Sequence, residues 1–158
     1  VGTIDSLDPN KYYDSSIYID VLEHIENDRE EILKSFNRLK PVGKIVILSP
    51  SYQYLYSPFD KSVGHFRRYN KNSLIKLIDN KKPSEIFYID SVGVLLSLAN
   101  KLILKSGMPN KRQIKIWDNY VIPLSKIVDP MIGHTFGKSI ICVWENTFVA
   151  GIYFTLPR

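Results

Sequence analysis

The stretch Ser16-Ile17-Tyr18-Ile19-Asp20-Val21-Leu22-Glu23-His24-Ile25 decides how this chain folds. Its first half is an apolar run ending in a carboxylate, so residues 15 to 20 are expected to form a buried strand. Between residues 27 and 39 the apolar period changes. Ile32, Leu33, Phe36 and Leu39 fall on one helical face, acidic residues fill the first turn, and Asn27 or Asp28 is placed to cap it. Pro41-Val42-Gly43 reads as a turn, and Lys44-Ile45-Val46-Ile47-Leu48 as a second, strongly apolar strand. Two such strands with a helix between them make the pattern of a parallel βαβ unit buried on both faces. In open α/β sheets ligands gather outside the carboxyl ends of the strands. The segment after the first strand therefore places Asp20, Glu23 and His24 at a candidate site.

Further along, residues 49 to 69 form a long polar and aromatic loop, and loops of that length in a compact domain are usually functional. The loop ends in a second unusual run, Gly64-His65-Phe66-Arg67-Arg68-Tyr69. Asn70 is expected to cap a short helix reaching residue 78. Residues 85 to 90 read as a third strand, 92 to 104 as an apolar helix and 138 to 144 as a fourth strand. Between these last two, Pro109, Pro123 and Pro130 lead to the expectation of irregular chain over residues 108 to 136, with a short helix near 125 to 128. Residues 147 to 158 make an atypical apolar tail on what is otherwise a single α/β domain.

Composition narrows the function classes. At 158 residues and 44% hydrophobic content the chain has enough apolar matter for a real core, which argues against disorder. The net charge of +5 permits an anionic substrate or partner without demanding one. Scattered lysines and the lack of any nucleic-acid motif make a nucleic-acid partner an unfavoured reading. A single cysteine, Cys142, excludes an intramolecular disulfide and a cysteine zinc site; in its apolar run it reads as a small buried thiol. With no signal-peptide pattern and no apolar segment of about 20 residues, a cytoplasmic location is expected. Val1 at one end and the apolar run at the other lead to the expectation that the chain is part of a longer protein.

The order Tyr13-Asp14, apolar strand, Asp20-Val-Leu-Glu-His24, helix, Leu39-Lys-Pro-Val-Gly43, apolar strand, Pro50 resembles the second half of a class I S-adenosylmethionine-dependent methyltransferase. Asp60-Lys-Ser-Val-Gly-His-Phe-Arg-Arg-Tyr69 is similar to a block found in one bacterial subgroup, whose members often neighbour glycan or lipid enzymes. The resemblance covers about residues 2 to 144. It implies a partial Rossmann-like sheet holding the family's strands four to seven, in spatial order 4-5-7-6, with the last strand antiparallel. It further implies methyl transfer from S-adenosylmethionine to a small-molecule, glycan or lipid acceptor, with Asp20, Leu22 and Glu23 on the cofactor side. The family's glycine-rich cofactor turn has no counterpart, since no Gly-x-Gly occurs in the chain. These 158 residues alone are therefore expected to be inactive and to lack useful cofactor affinity.

Two other readings follow from the residues. His24 and His65 with Asp20 and Glu23 suit a divalent ion such as Mg2+, Mn2+ or Zn2+. The resemblance extends here too, since small-RNA 2′-O-methyltransferases carry a similar acidic and histidine set. The alternative is that Glu23 and His24 simply begin the next helix. His65 could also serve as a general base. Arg67 and Arg68 offer planar forks for an anionic substrate, or one of them clamps Asp60 or Asp90. Tyr69 and Tyr52 are counted with the substrate pocket, loop packing being the alternative for Tyr52. Finally, the family's first strand pairs with its fourth. Without that partner the strand at residues 16 to 20 is expected to have an open edge that either recruits a second copy or is covered by residues 147 to 156. A non-catalytic domain that self-associates through this edge, or an anion-binding module, is the alternative to an enzyme.

Overall fold

The computed structural model describes residues 4–99 and 110–147. A four-stranded sheet is its centre: β1 (Tyr13–Ile19), β2 (Leu39–Pro50), β3 (Glu85–Ile89) and β4 (Ser139–Glu145), in spatial order β1-β2-β4-β3. β1 and β2 run parallel, while β4 lies antiparallel to both β2 and β3. This is the expected arrangement, with the last strand in sequence inserted between the second and the third. Parallel β1 and β2 need a crossover, and α1 (Asp28–Asn37) supplies it.

One face of the sheet carries the core. Tyr18, Ile45, Ile47, Ile140, Cys142 and Trp144 point into it, under Ile32 and Phe36 of α1 and Leu74 of α3 (Lys71–Ile75). Burial pushes the Cys142 thiol upward, so it packs as an apolar group. Burial on both faces was expected, but the strands alternate instead. Ile17 and Ile19 of β1 stand 61% and 57% exposed on the opposite face, so among the described residues β1 is covered on one side only. Its outer edge also pairs with nothing among them. Most of the run expected to cover it lies outside the described residues, as do the end of the helix expected to reach residue 104 and residues 108 and 109.

Two further expectations need correction. Pro41-Val42-Gly43 is not a turn before β2 but a bulge within it. Pairing jumps from Tyr13–Leu39 to Ser15–Lys44, and Val42 takes a positive φ of 58°. Asn146 fastens the bulge, accepting from the Val42 N–H at 2.8 Å and donating its side-chain amide to the Leu39 and Lys40 carbonyls at 3.2 Å. The second correction concerns the stretch expected to be irregular, which is a nearly continuous helical rod. α5 (Lys111–Ile116), capped by Asn110, passes through a π turn (Trp117–Val121) into α6 (Ile122–Met131). Pro123 stands where the π turn passes into α6, and Pro130 falls just before the helix ends. The prolines mark joints of the rod rather than breaks. Buried Asp129 ties it to α4 (Ser91–Ala99) by accepting from the Asp90 and Ser91 N–H groups at 2.7 and 3.0 Å.

The loop after β2 is also ordered by local chemistry. Ser57 and Asp60 form a reciprocal capping box at the head of α2 (Pro58–Val63), and Gly64, at a φ of 84°, ends it in the left-handed conformation that glycine tolerates. No described helix is long and apolar enough to cross a membrane.

Candidate active site

β1 ends at Ile19, and the chain turns at Asp20, whose φ of 49° is left-handed. The following 3-10 turn, Leu22–His24, is pinned by Leu22, which is wholly buried. Burying a leucine contributes about 1.5–3 kcal/mol, enough to carry its polar neighbour inward with it. Glu23 is thus fully buried. Its Oε2 accepts from the Ser49 hydroxyl at 2.9 Å, while Oε1 accepts no hydrogen bond. Burial pushes the Glu23 carboxyl above the ordinary carboxylate range, against the hydrogen bonds from its own backbone and Ser49.

The loop brings its imidazole to this orphaned oxygen. The Phe66 N–H donates to the Glu23 carbonyl at 2.8 Å, the His65 N–H to the Asp60 carbonyl at 2.9 Å, and the Tyr56 hydroxyl to the His65 carbonyl at 2.7 Å. His65 Nδ1 lies 2.8 Å from Asp60 Oδ1, and Nε2 lies 3.9 Å from Glu23 Oε1. Asp60 is fully buried and also accepts from Arg68 Nε at 2.8 Å, from Arg68 Nη2 at 3.0 Å, and from the Ser57 N–H and hydroxyl at 2.9 and 3.0 Å. Burial alone would raise this carboxyl, but the hydrogen bonds and charge of Arg68, with those of His65 and Ser57, bring it below its ordinary value. An ionised Asp60 accepts an N–H from His65 Nδ1 and so turns Nε2 toward the Glu23 side.

Exposed His24 completes the group, its ring edge-on to that of His65 with centroids 4.6 Å apart. Glu23, His24 and His65 each offer a ligand atom, and these atoms lie within 4.8 Å of one another. Donors about 2.1 Å from a shared ion stand roughly 3–3.5 Å apart, so the set, with His65 Nε2 and Glu23 Oε1 3.9 Å apart, would have to draw in around an ion. The observations that favour an ion are the orphaned buried oxygen and the carboxylate behind the histidine, which orients the ring as carboxylates do for metal-binding imidazoles. Asp20 is not a member of this group and stands exposed at the end of β1.

The remaining residues named from the sequence lie elsewhere. Arg68 is buried and holds Asp60, the clamp alternative, with Nη1 on the Ser51 carbonyl. Arg67 joins the loop to α1 through Asp28 at 2.7 Å and the Glu26 carbonyl at 2.7 Å. Tyr69 is a core residue whose hydroxyl donates toward Asp28 and the Leu22 carbonyl. Tyr52 stacks between Tyr54 and Tyr88 with ring centroids 5.1 and 5.0 Å away, and burial pushes its hydroxyl upward. Of the three residues assigned to the cofactor side, Leu22 and Glu23 have no exposed surface, so Asp20 alone presents a side chain there. Ser49 and Ser57 were not anticipated. Ser57-Pro58-Phe59-Asp60 carries a readable capping pattern; Ser49 carries none.

The structure is similar to that of an S-adenosylmethionine-dependent methyltransferase from Archaeoglobus fulgidus, with a TM-score of 0.50 and 18% identity over 90% of this chain and 62% of that one. The fold is that of such a methyltransferase. A ubiquinone biosynthesis O-methyltransferase of Rickettsia conorii is 42% identical over 46 residues, 29% of this chain and 16% of that protein. The chain thus spans less than two thirds of either relative. No protein-family model matches it.

Proposed function

We propose that this chain is the acceptor-side part of an S-adenosylmethionine-dependent methyltransferase acting on a small-molecule, glycan or lipid acceptor. The observation that carries the proposal is His65: a buried aspartate holds its Nδ1 and its Nε2 faces Glu23, at the carboxyl ends of β1 and β2 in a methyltransferase fold. S-adenosylmethionine supplies the methyl group when bound. The residues described here meet it at Asp20 and contribute no glycine-rich cradle for its carboxylate and ribose. Their own task is at the acceptor. His65 Nε2 is placed to take the proton of an acceptor hydroxyl as its oxygen attacks, and Asp60 stabilises the resulting imidazolium. With a divalent ion held by Glu23, His24 and His65, His65 Nε2 would be a ligand instead of the base, and the ion would orient the hydroxyl and lower its pKa.

Thermal unfolding with and without Mg2+, Mn2+ or Zn2+ tests the site. One of these ions should stabilise the wild type by about 2.7 kcal/mol at a hundredfold excess over its Kd, and His65→Ala should abolish that gain. An absence of response to all three ions removes the metal part of the proposal. A second reading is favoured by the exposed Ile17 and Ile19 beside the open β1 edge: self-association of a cofactor-free domain through that strand.

A further inference from the structure

A cavity of about 440 Å3 opens between the loop after β2, α4 and the head of the α5–α6 rod. That is within the roughly 300–1,000 Å3 of small-molecule sites. Leu55, Phe59, Leu96, Ile116 and Trp117 make its walls largely apolar. Two cations face it, and they differ. Arg68 is already joined to Asp60 through two nitrogens, so its charge is answered within the protein. Lys138 is not answered: among the described residues its ammonium has no carboxylate or carbonyl within hydrogen-bonding distance, and its nearest described partner is the face of Trp117, 4.0 Å from the ring centroid. Asp118 also lines the cavity and is solvent-exposed.

Lys138 is not a wandering surface lysine. Its carbonyl accepts from the Ser51 N–H at 2.8 Å and its N–H donates to the Asp90 carbonyl at 3.0 Å, which fixes its backbone where β4 begins. Burial pushes its ammonium below the ordinary lysine value, against the more distant charges of Asp90, Asp20 and Asp60 and with Arg68 adding to it. A part-buried cation against an aromatic face lacks the oxygen partners it would have in water. An anion entering from the cavity would restore one. The geometry points to a binding site for a small amphiphile, with an apolar body against Leu55, Phe59, Leu96 and Trp117 and a single anionic head on Lys138.

Trp117 provides the readout, because the other tryptophan, Trp144, is only 1% exposed within the core. The test is titration of the chain with decanoate and with decanol below their aggregation limits, followed by tryptophan emission and by calorimetry. Decanoate should bind at least tenfold tighter than decanol. Lys138→Met should reduce decanoate to the affinity of decanol and leave decanol unchanged, whereas Lys138→Arg should keep most of the difference. Equal affinities on the wild type, a difference that survives Lys138→Met, or no binding of either ligand to folded protein would overturn the inference. Circular dichroism verifies that each variant folds. If Lys138→Met does not, the wild-type preference for decanoate and its decline with rising salt decide the matter. No cofactor or metal is added, so failure here leaves the methyl-transfer proposal standing, and failure of that proposal leaves this one.

Discussion

Asp60→Asn is the sharpest probe of the site. Asp60 has no exposed surface and receives five polar contacts, two of them from an arginine whose side chain is itself only 5% exposed. Asparagine keeps the shape but removes the charge, and one of its two side-chain positions then donates where it must accept. Breaking one partner of a buried pair costs about 3–5 kcal/mol, because the other charge stays buried without compensation. In a domain of this size each kcal/mol moves the unfolding midpoint by about 2–4 °C, so the variant should melt roughly 6–20 °C below the wild type. Arg68→Met should also destabilise, and the double variant should be less impaired than the sum of the singles, by up to about 3 kcal/mol of coupling. The pH dependence has a definite sign. The folded-state carboxyl is lowered, so its contribution is present above the unfolded value of about 3.9 and lost as pH falls through the lower folded value. The gap between wild type and Asp60→Asn should therefore narrow in acid. Urea denaturation followed by circular dichroism at pH 7 and across pH 5 to 2 measures all three variants. A cost below about 1 kcal/mol at pH 7, well short of the buried-pair range, with no change in the acid limb, would refute the reasoning.

Other outcomes follow from the same geometry. Glu23 is raised by burial, so its stability contribution is present below the ordinary carboxylate range and lost as pH rises through the folded value. Glu23→Gln should therefore stabilise the ion-free chain at neutral pH by about 1–2 kcal/mol, since it removes an orphaned charged oxygen, and should at the same time abolish any gain from a divalent ion; thermal melts in chelator and in metal check both. Ile19→Lys on the exposed face of β1 should convert a self-associating chain to a monomer in light scattering with little change in melting temperature, and a wild type that is already monomeric removes the self-association reading. Calorimetry of these 158 residues with S-adenosylmethionine should give no micromolar binding, because no Gly-x-Gly turn is present to receive it; a micromolar affinity would show that Asp20 and its neighbours suffice.

The sheet was legible because its strands are written as apolar runs, and hydrophobic period does not depend on distant residues. Glu23, His24 and His65 could be grouped before their distances were known because strand ends in this kind of sheet converge on one edge. The rod of residues 111–131 differs from the irregular chain expected there because Pro123 falls at the junction of the π turn with α6 and Pro130 one residue from the helix end, places where a helix tolerates the local change in winding. The exposure of β1 on one face escaped for a related reason. An Ile-Tyr-Ile run reads as buried on both sides, and only the packing reveals that Tyr18 points inward while Ile17 and Ile19 do not. Lys138 over Trp117 carried no signal at all, since the two meet across 21 positions through the docking of the rod against α4 and β3.

The run from His65 to Tyr69 shows why a dense cluster of reactive side chains does not make every member reactive. Arg67 fastens the loop to α1, Arg68 balances Asp60, and Tyr69 fills the core and reaches Asp28. Each neutralises or satisfies another group within the protein. Together they hold His65 with its Nε2 toward Glu23 Oε1, 3.9 Å away. A loop must be ordered to place an imidazole against a buried carboxylate, and ordering a backbone residue costs about 1–2 kcal/mol. The arginines and tyrosine offset that cost. The same reasoning separates Arg68 from Lys138 at the cavity: two cations face one space, and the one without a carboxylate is the one left to recognise a ligand.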